Sequence, residues 1–162
     1  MTDHVARVQQ EWERERPDLD IGPMLVIARM HRIANALTTE LVRVYREHGL
    51  SEGEFDVLAA LRRAGEPYER APGELAQVTM VTTGAMTKRL DRLVRAGLVT
   101  RRVSEVDGRG RVVALTAKGV ELIDRAYEAH LANESRLIGH FSHKERQALE
   151  TLLRRWAEHL EP

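Results

Sequence analysis

The feature that most constrains the fold is a change of period at Leu98. Up to Gly97, apolar residues recur at three- and four-residue steps, the mark of amphipathic helices. Beyond it, Leu98-Val99-Thr100 and Arg111-Val112-Val113-Ala114-Leu115 read as two short strands. Asp107-Gly108-Arg109-Gly110 lies between them and supplies turn chemistry, since glycine tolerates the positive φ that tight hairpins need. From Thr116 the helical period resumes. A chain of 162 residues with 43% apolar content is long enough to bury a core, so the reading is a mostly α fold carrying one small β-hairpin.

Caps and breakers divide the helical part. A first helix covers Asp3 to Glu15 and stops before Arg16-Pro17, because proline disfavours helical geometry in the residue before it. Pro23 suits a first-turn position, and Met24, Ile27, Met30, Ile33, Ala34, Leu37, Leu41 and Val44 mark a long helix to about Glu47, ended by His48-Gly49. Ser51 and Glu54 form a capping box for a helix with Phe55, Leu58 and Leu61 on one face, ending near Gly65. Pro72 to Val78 is a short helix. Thr82 or Thr83 caps the next, with Met86, Leu90, Leu93 and Val94 as its buried stripe and Gly97 closing it. Thr116 caps a helix to about His140, and Ser142 with Glu145 opens a last one whose stripe is Leu149, Leu152, Leu153 and Trp156.

Two short helices with a tight connection followed by a hairpin is the order of a winged helix-turn-helix, in which the second helix enters a DNA major groove. If Met86, Leu90, Leu93 and Val94 set the core direction, Gly84, Lys88, Asp91 and Arg95 point the opposite way. The chain as a whole carries 25 basic and 25 acidic residues, so global charge indicates no nucleic acid. Its distribution does. Between Thr82 and Val113 there are eight basic residues (Lys88, Arg89, Arg92, Arg95, Arg101, Arg102, Arg109, Arg111) against three acidic ones (Asp91, Glu105, Asp107), the footprint that phosphate binding requires. The small residues Thr82, Thr83, Gly84 and Ala85 at the helix start allow close approach to base edges. The candidate DNA contacts are Thr82, Thr83, Gly84, Thr87, Lys88, Asp91, Arg92, Arg95, Asp107, Arg109 and Arg111.

Other function classes find little support. There is no cysteine, no glycine-rich phosphate loop and no His-Glu-x-x-His, so no catalytic residues and no cofactor are expected. His140 and His143 straddle a helix boundary instead of sharing a face, and no metal site is expected. The polar start MTDHVARVQQEWERER and the lack of any long uncharged apolar run argue against secretion and membrane insertion, leaving a cytoplasmic protein.

GELAQVTMVTTGAMTKRLDRLVRAGLVTR followed by DGRGRVVALTAKG resembles the MarR family of bacterial transcriptional regulators. The first segment is similar to the family's helix-turn-helix and the second to its wing, and the long terminal helices resemble its dimerisation region. The family commonly has Asp-Arg-Arg at the wing tip. Here Asp107-Gly108-Arg109 keeps the Asp and the second Arg but loses the first, with Arg111 standing in part for the missing charge. The resemblance implies minor-groove insertion by Arg109 and a homodimer on a pseudo-palindromic operator, with repression by steric exclusion of polymerase. It also implies an organisation into N-terminal helices (1–48), a DNA-binding region (49–116) and C-terminal dimerisation helices (117–162). A DNA-binding protein of architectural type, with no sequence preference and no ligand, is the alternative.

A finer resemblance lies in WERERPDLDIGPM, FDVLAALRR and TKRL, which look like the urate-responsive branch with its extra N-terminal helix. That branch encloses its ligand between residues that match Trp12, Asp56, Arg63 and Arg89. The chemistry of these side chains agrees with the match. Asp56 and Arg63, seven residues apart, share a helix face; a flat anion could stack on Trp12, pair with Arg63 and Arg89, and donate N–H groups to Asp56. Other carboxylate or phenolic ligands remain open, as do structural roles for all four residues.

Overall fold

The computed structural model describes residues 3–103 and 110–160. The chain divides into two compact units, Met1–Glu40 and Leu41–Pro162. In the first, α1 (His4–Glu15) is capped by Asp3, whose carboxylate accepts from the Ala6 amide at 2.7 Å. The same carboxylate meets Arg29 Nε at 2.9 Å, fastening α1 to α2 (Gly22–Glu47). The last turn of α2 lies in the second unit, where Val44 and Tyr45 are buried.

The second unit is built around α3 (Glu52–Arg62). Its start is held by Ser51, which donates its amide and hydroxyl to Glu54 Oε2 at 2.9 and 2.7 Å. The expected single apolar face is too narrow a description: Val57, Ala59 and Ala60 are buried along with Phe55, Leu58 and Leu61. The reason is position, because α3 packs against helices on several sides and against the sheet. After β1 (Glu69–Arg70) come α4 (Pro72–Val78) and α5 (Thr83–Arg95), then β2 (Val99–Val103), β3 (Arg111–Leu115), α6 (Ala117–Leu137) and α7 (His143–Leu160).

The hairpin is part of a three-stranded antiparallel sheet in the order β1-β3-β2, with Glu69 opposite Ala114 and Val99 opposite Leu115. Three expectations need correction. Leu98 is not in a strand; its amide donates back to Leu93 O at 3.0 Å and closes α5, so β2 begins at Val99 and extends to Val103. Val94 does not complete the stripe of α5: Met86, Leu90 and Leu93 are each 1% exposed, but Val94 is 39% exposed. At 3.6 residues per turn it sits roughly 70° from the stripe's centre. And α6 ends at Leu137, short of His140, as the Ile138 and Gly139 amides turn back onto Glu134 and Arg136.

On α7 the apolar stripe is uncovered. No residue of this helix is buried, and Leu149, Leu152 and Leu153 stand open to solvent. The junction of the sheet and α6, in contrast, is tightly closed. Thr116 Oγ1 donates to Gly97 O at 2.8 Å and accepts from the Gly119 amide at 3.0 Å, and a Cβ at Gly119 would lie 2.1 Å from Leu98 O. Helix and backbone cannot approach so closely with any side chain between them. Gly119→Ala should therefore lower stability by about 1–3 kcal/mol in urea unfolding, the range for overpacking, despite alanine's better helix propensity.

Candidate nucleic-acid interface and ligand site

The connection between α4 and α5 is short because its ends are tied down. Thr79 Oγ1 donates to Leu75 O at 2.7 Å, the Val81 amide to Ala76 O at 3.0 Å, and Thr82 Oγ1 accepts from the Ala85 amide at 3.3 Å. Thr82 is thus the cap and Thr83 the first helical residue. With Met86, Leu90 and Leu93 turned into the core, every expected DNA contact on this segment is exposed: Thr82, Thr83, Gly84, Thr87, Lys88, Asp91, Arg92 and Arg95. Arg111 on β3 is exposed as well. Asp107 and Arg109 lie outside the described residues.

Several of these side chains have protein partners. Asp91 Oδ1 meets Arg101 Nη1 of β2 at 2.7 Å, and Arg101 Nη2 also donates to Thr87 O at 3.3 Å. The base of the wing is thereby tied to the outer face of α5. Arg95 Nε donates to Asp91 O at 3.3 Å. Arg92 is drawn toward α3, its Nε 3.0 Å from Glu54 Oε1. Glu54 therefore caps α3 and grips α5 with one carboxylate. Burial pushes its pKa up, but hydrogen bonds from Ser51 and the charge of Arg92 outweigh that and hold it below the ordinary glutamate range.

Of the expected ligand residues, Asp56, Arg63 and Arg89 share one electrostatic neighbourhood in the second unit. Burial raises the Asp56 carboxyl, and the negative charge of Glu52 raises it further; Arg89, Arg63 and His130 oppose the shift. Arg63 caps the C-terminal end of α3 and is exposed. It lines a cavity of about 460 Å³ between α3 and α6 together with Ala59, Ile123, Tyr127, Glu128 and the Arg62–Asp124 ion pair. That volume is within the range of small-molecule sites. Asp56 and Arg89 do not line it. Arg89 instead places its guanidinium over Gly53 in the first turn of α3, with Nη1 buried and without a hydrogen-bond partner. Trp12 is on α1 in the first unit, its side chain half-exposed.

Sequence reasoning missed a ring cluster beside these residues. Tyr45 stacks on Phe55 at 4.1 Å, its hydroxyl lies 3.3 Å from His130 Nδ1, and His130 Nε2 lies 3.2 Å from Glu134. Burial raises the Tyr45 hydroxyl to about 12, so it stays protonated and can donate to the imidazole. The three-residue spacing of Tyr127 and His130 was the available signal, but nothing local marks Tyr45 and Phe55 as their partners. Among the described residues, no group of three or more His, Asp or Glu side chains is placed to hold a metal, and no helix is long and apolar enough to cross a membrane.

Comparison with known proteins agrees with this arrangement. A model of the MarR family matches residues 48–110, which run from the end of α2 through the helix-turn-helix to the start of β3. The HTH-type transcriptional regulator PecS of Dickeya dadantii is 40% identical over 156 residues, covering 96% of this chain and 94% of its own. AbsC, a MarR family transcriptional regulator from Streptomyces coelicolor, superposes with a TM-score of 0.78 at 25% identity, over 88% of this chain and 96% of that one. A mutant of MarR from E. coli complexed with operator DNA superposes at 0.69 and 26% identity, over 93% and 98%. The chain belongs to the MarR family of transcriptional regulators.

The double role of Glu54 yields a pH prediction. Its folded pKa is depressed, so its contribution to stability is present above the unfolded-state value and is lost as pH falls through the lowered one. Glu54→Gln should cost about 1 kcal/mol at neutral pH, the worth of a cap or a charged hydrogen bond. In urea titrations the difference from wild type should shrink toward zero in acid.

Proposed function

We propose that the protein is a homodimeric repressor that is released from a pseudo-palindromic operator by a small anionic ligand, urate or a close purine relative. The observation that carries the ligand half of this reading is the inward-turned Arg89: a side chain of the recognition helix α5 lies with its charge beside Asp56 and its Nη1 dry and unpartnered. A ligand oxygen that satisfies this donor acts directly on the helix that meets DNA. The operator half rests on the exposed basic face of α5 and on membership of a family in which one relative, MarR from E. coli, has been solved complexed with operator DNA.

In this reading Lys88, Arg95, Arg111 and Arg109 meet phosphates or groove edges, with Thr82, Thr83, Gly84 and Thr87 allowing close approach and Asp91 and Arg92 orienting the wing and the helix. Within the second unit, Arg63 pairs with the ligand's charge and Asp56 accepts its N–H groups. Residues 1–48 and 117–162 supply dimerisation, to which the uncovered leucines of α7 are suited. PecS, 40% identical, is itself an HTH-type transcriptional regulator and supports the regulator half of the reading.

The test is fluorescence anisotropy of a duplex from the gene's own upstream region, with a random duplex as control. Urate should weaken the specific complex by a factor of about 5–150, the usual span of allosteric coupling. Equal binding to both duplexes favours an architectural protein, and specific binding that ignores urate points to another carboxylate or phenolic ligand. Arg63→Ala should keep operator affinity within about twofold and weaken urate by about tenfold or more, the worth of a charged hydrogen bond.

A pH dependence follows from Asp56. An acceptor must be ionised, and the Asp56 pKa is raised, so ligand affinity falls as pH drops through that raised value. Calorimetric titrations at stepped pH should show this loss in wild type and a flatter profile in Asp56→Asn.

A further inference from the structure

Arg89 reaches the interior by passing over a residue that has no side chain. A Cβ built on Gly53 would lie 2.3 Å from Arg89 Cζ, 2.4 Å from Nε and 2.7 Å from Nη2. These separations are far inside van der Waals contact, so the guanidinium occupies the volume that any side chain at position 53 would fill. Gly53 is buried, and its backbone does not require glycine: it sits in the second position of α3 and is not among the residues with positive φ. Alanine suits a helix better than glycine does. The three atoms nearest to such a methyl group all belong to Arg89.

The seat is electrostatically costly for a cation. A helix N-terminus carries partial positive charge, and the guanidinium rests against the first turn of α3. The carboxylates of Glu52, Glu54 and Asp56 in the same turns offset this, but Glu54 is already engaged by Ser51 and Arg92, and Nη1 finds no acceptor. A dry, unpartnered donor gives an incoming oxygen more than a solvated arginine could. Without the space at Gly53, Arg89 would swing to the solvent side of α5, joining Lys88 and Arg95 on the DNA-facing surface.

We infer that Gly53 is the positioning residue of the ligand response, holding open the seat from which Arg89 presents Nη1 to an oxygen of a planar anion. The inference rests on the ligand reading above. It makes the choice between a ligand-sensing and a DNA-facing Arg89 depend on one missing methyl group.

Four proteins test it: wild type, Gly53→Ala, Arg89→Ala and the double variant, each full-length. In thermal unfolding without ligand, Gly53→Ala should raise Tm in the Arg89→Ala background, where the seat is empty, and leave it unchanged or lower it in the wild-type background. An equal rise in both backgrounds overturns the seat. In calorimetric titration with urate, Gly53→Ala should bind at least tenfold more weakly than wild type while holding the operator duplex as tightly or more tightly. Urate binding by Gly53→Ala with wild-type affinity overturns the role of Gly53 alone. Failure of wild type to bind urate overturns the ligand reading and this role with it, while the Tm comparison still reports on the seat.

Discussion

The seating of α5 on α3 is the contact on which the rest of the molecule's behaviour depends. Its centre is apolar: Met86, Leu90 and Leu93 are almost fully buried against the core that α3 organises. Burying three such side chains is worth several kcal/mol, at roughly 1.5–3 kcal/mol each. Its edges are polar and differ in kind. At Arg92 the helix is gripped by Glu54, and at Arg89 it reaches in over Gly53. The apolar centre keeps the helix attached, and the polar edges leave its exact placement open to small changes in charge.

Glu54 concentrates several structural tasks in one carboxylate. It accepts from Ser51 to start α3 and from Arg92 to hold α5, so losing this carboxylate loosens the cap of α3 and the docking of α5 together. On its outer face α5 is tied to β2 through Asp91 and Arg101. A displacement of the recognition helix therefore carries the base of the wing with it. In the proposed mechanism an anion acting on Arg89 needs no long relay, because Asp56 on α3 already feels the charges of Arg89 on α5 and of Arg63 at the end of α3. Modest differential contacts at that point suffice for a coupling of 1–3 kcal/mol, the typical size for allosteric proteins.

Much of this architecture was legible from local signals. Pro72 and Thr82 placed the two helices of the DNA-binding motif because capping and first-turn proline act within a few residues. The stripe of Met86, Leu90 and Leu93 followed from periodicity alone. What escaped depended on distant partners. Strand β1 is two residues long and pairs with β3 more than forty residues away, leaving no period to read. Val94 is apolar yet lies off the buried arc, and Leu98 is spent closing α5 before the strand begins. The grip of Glu54 on Arg92 and the ring cluster of Tyr45, Phe55 and His130 join separate helices, which no spacing rule reveals. Gly53 read only as a spacer inside a Ser-x-x-Glu cap; its importance lies in what passes over it. The leucines of α7 were legible as a stripe with more apolar surface than a winged domain alone would cover, and they stand exposed.

The central claim is that ligand and DNA compete for the placement of one helix, and thermodynamic linkage makes that claim measurable from the ligand side. The decisive experiment is calorimetric titration of the protein with urate, alone and saturated with its operator duplex. The account predicts that operator weakens urate binding by the same factor by which urate weakens the operator complex. Identical urate affinity in the two titrations would contradict it.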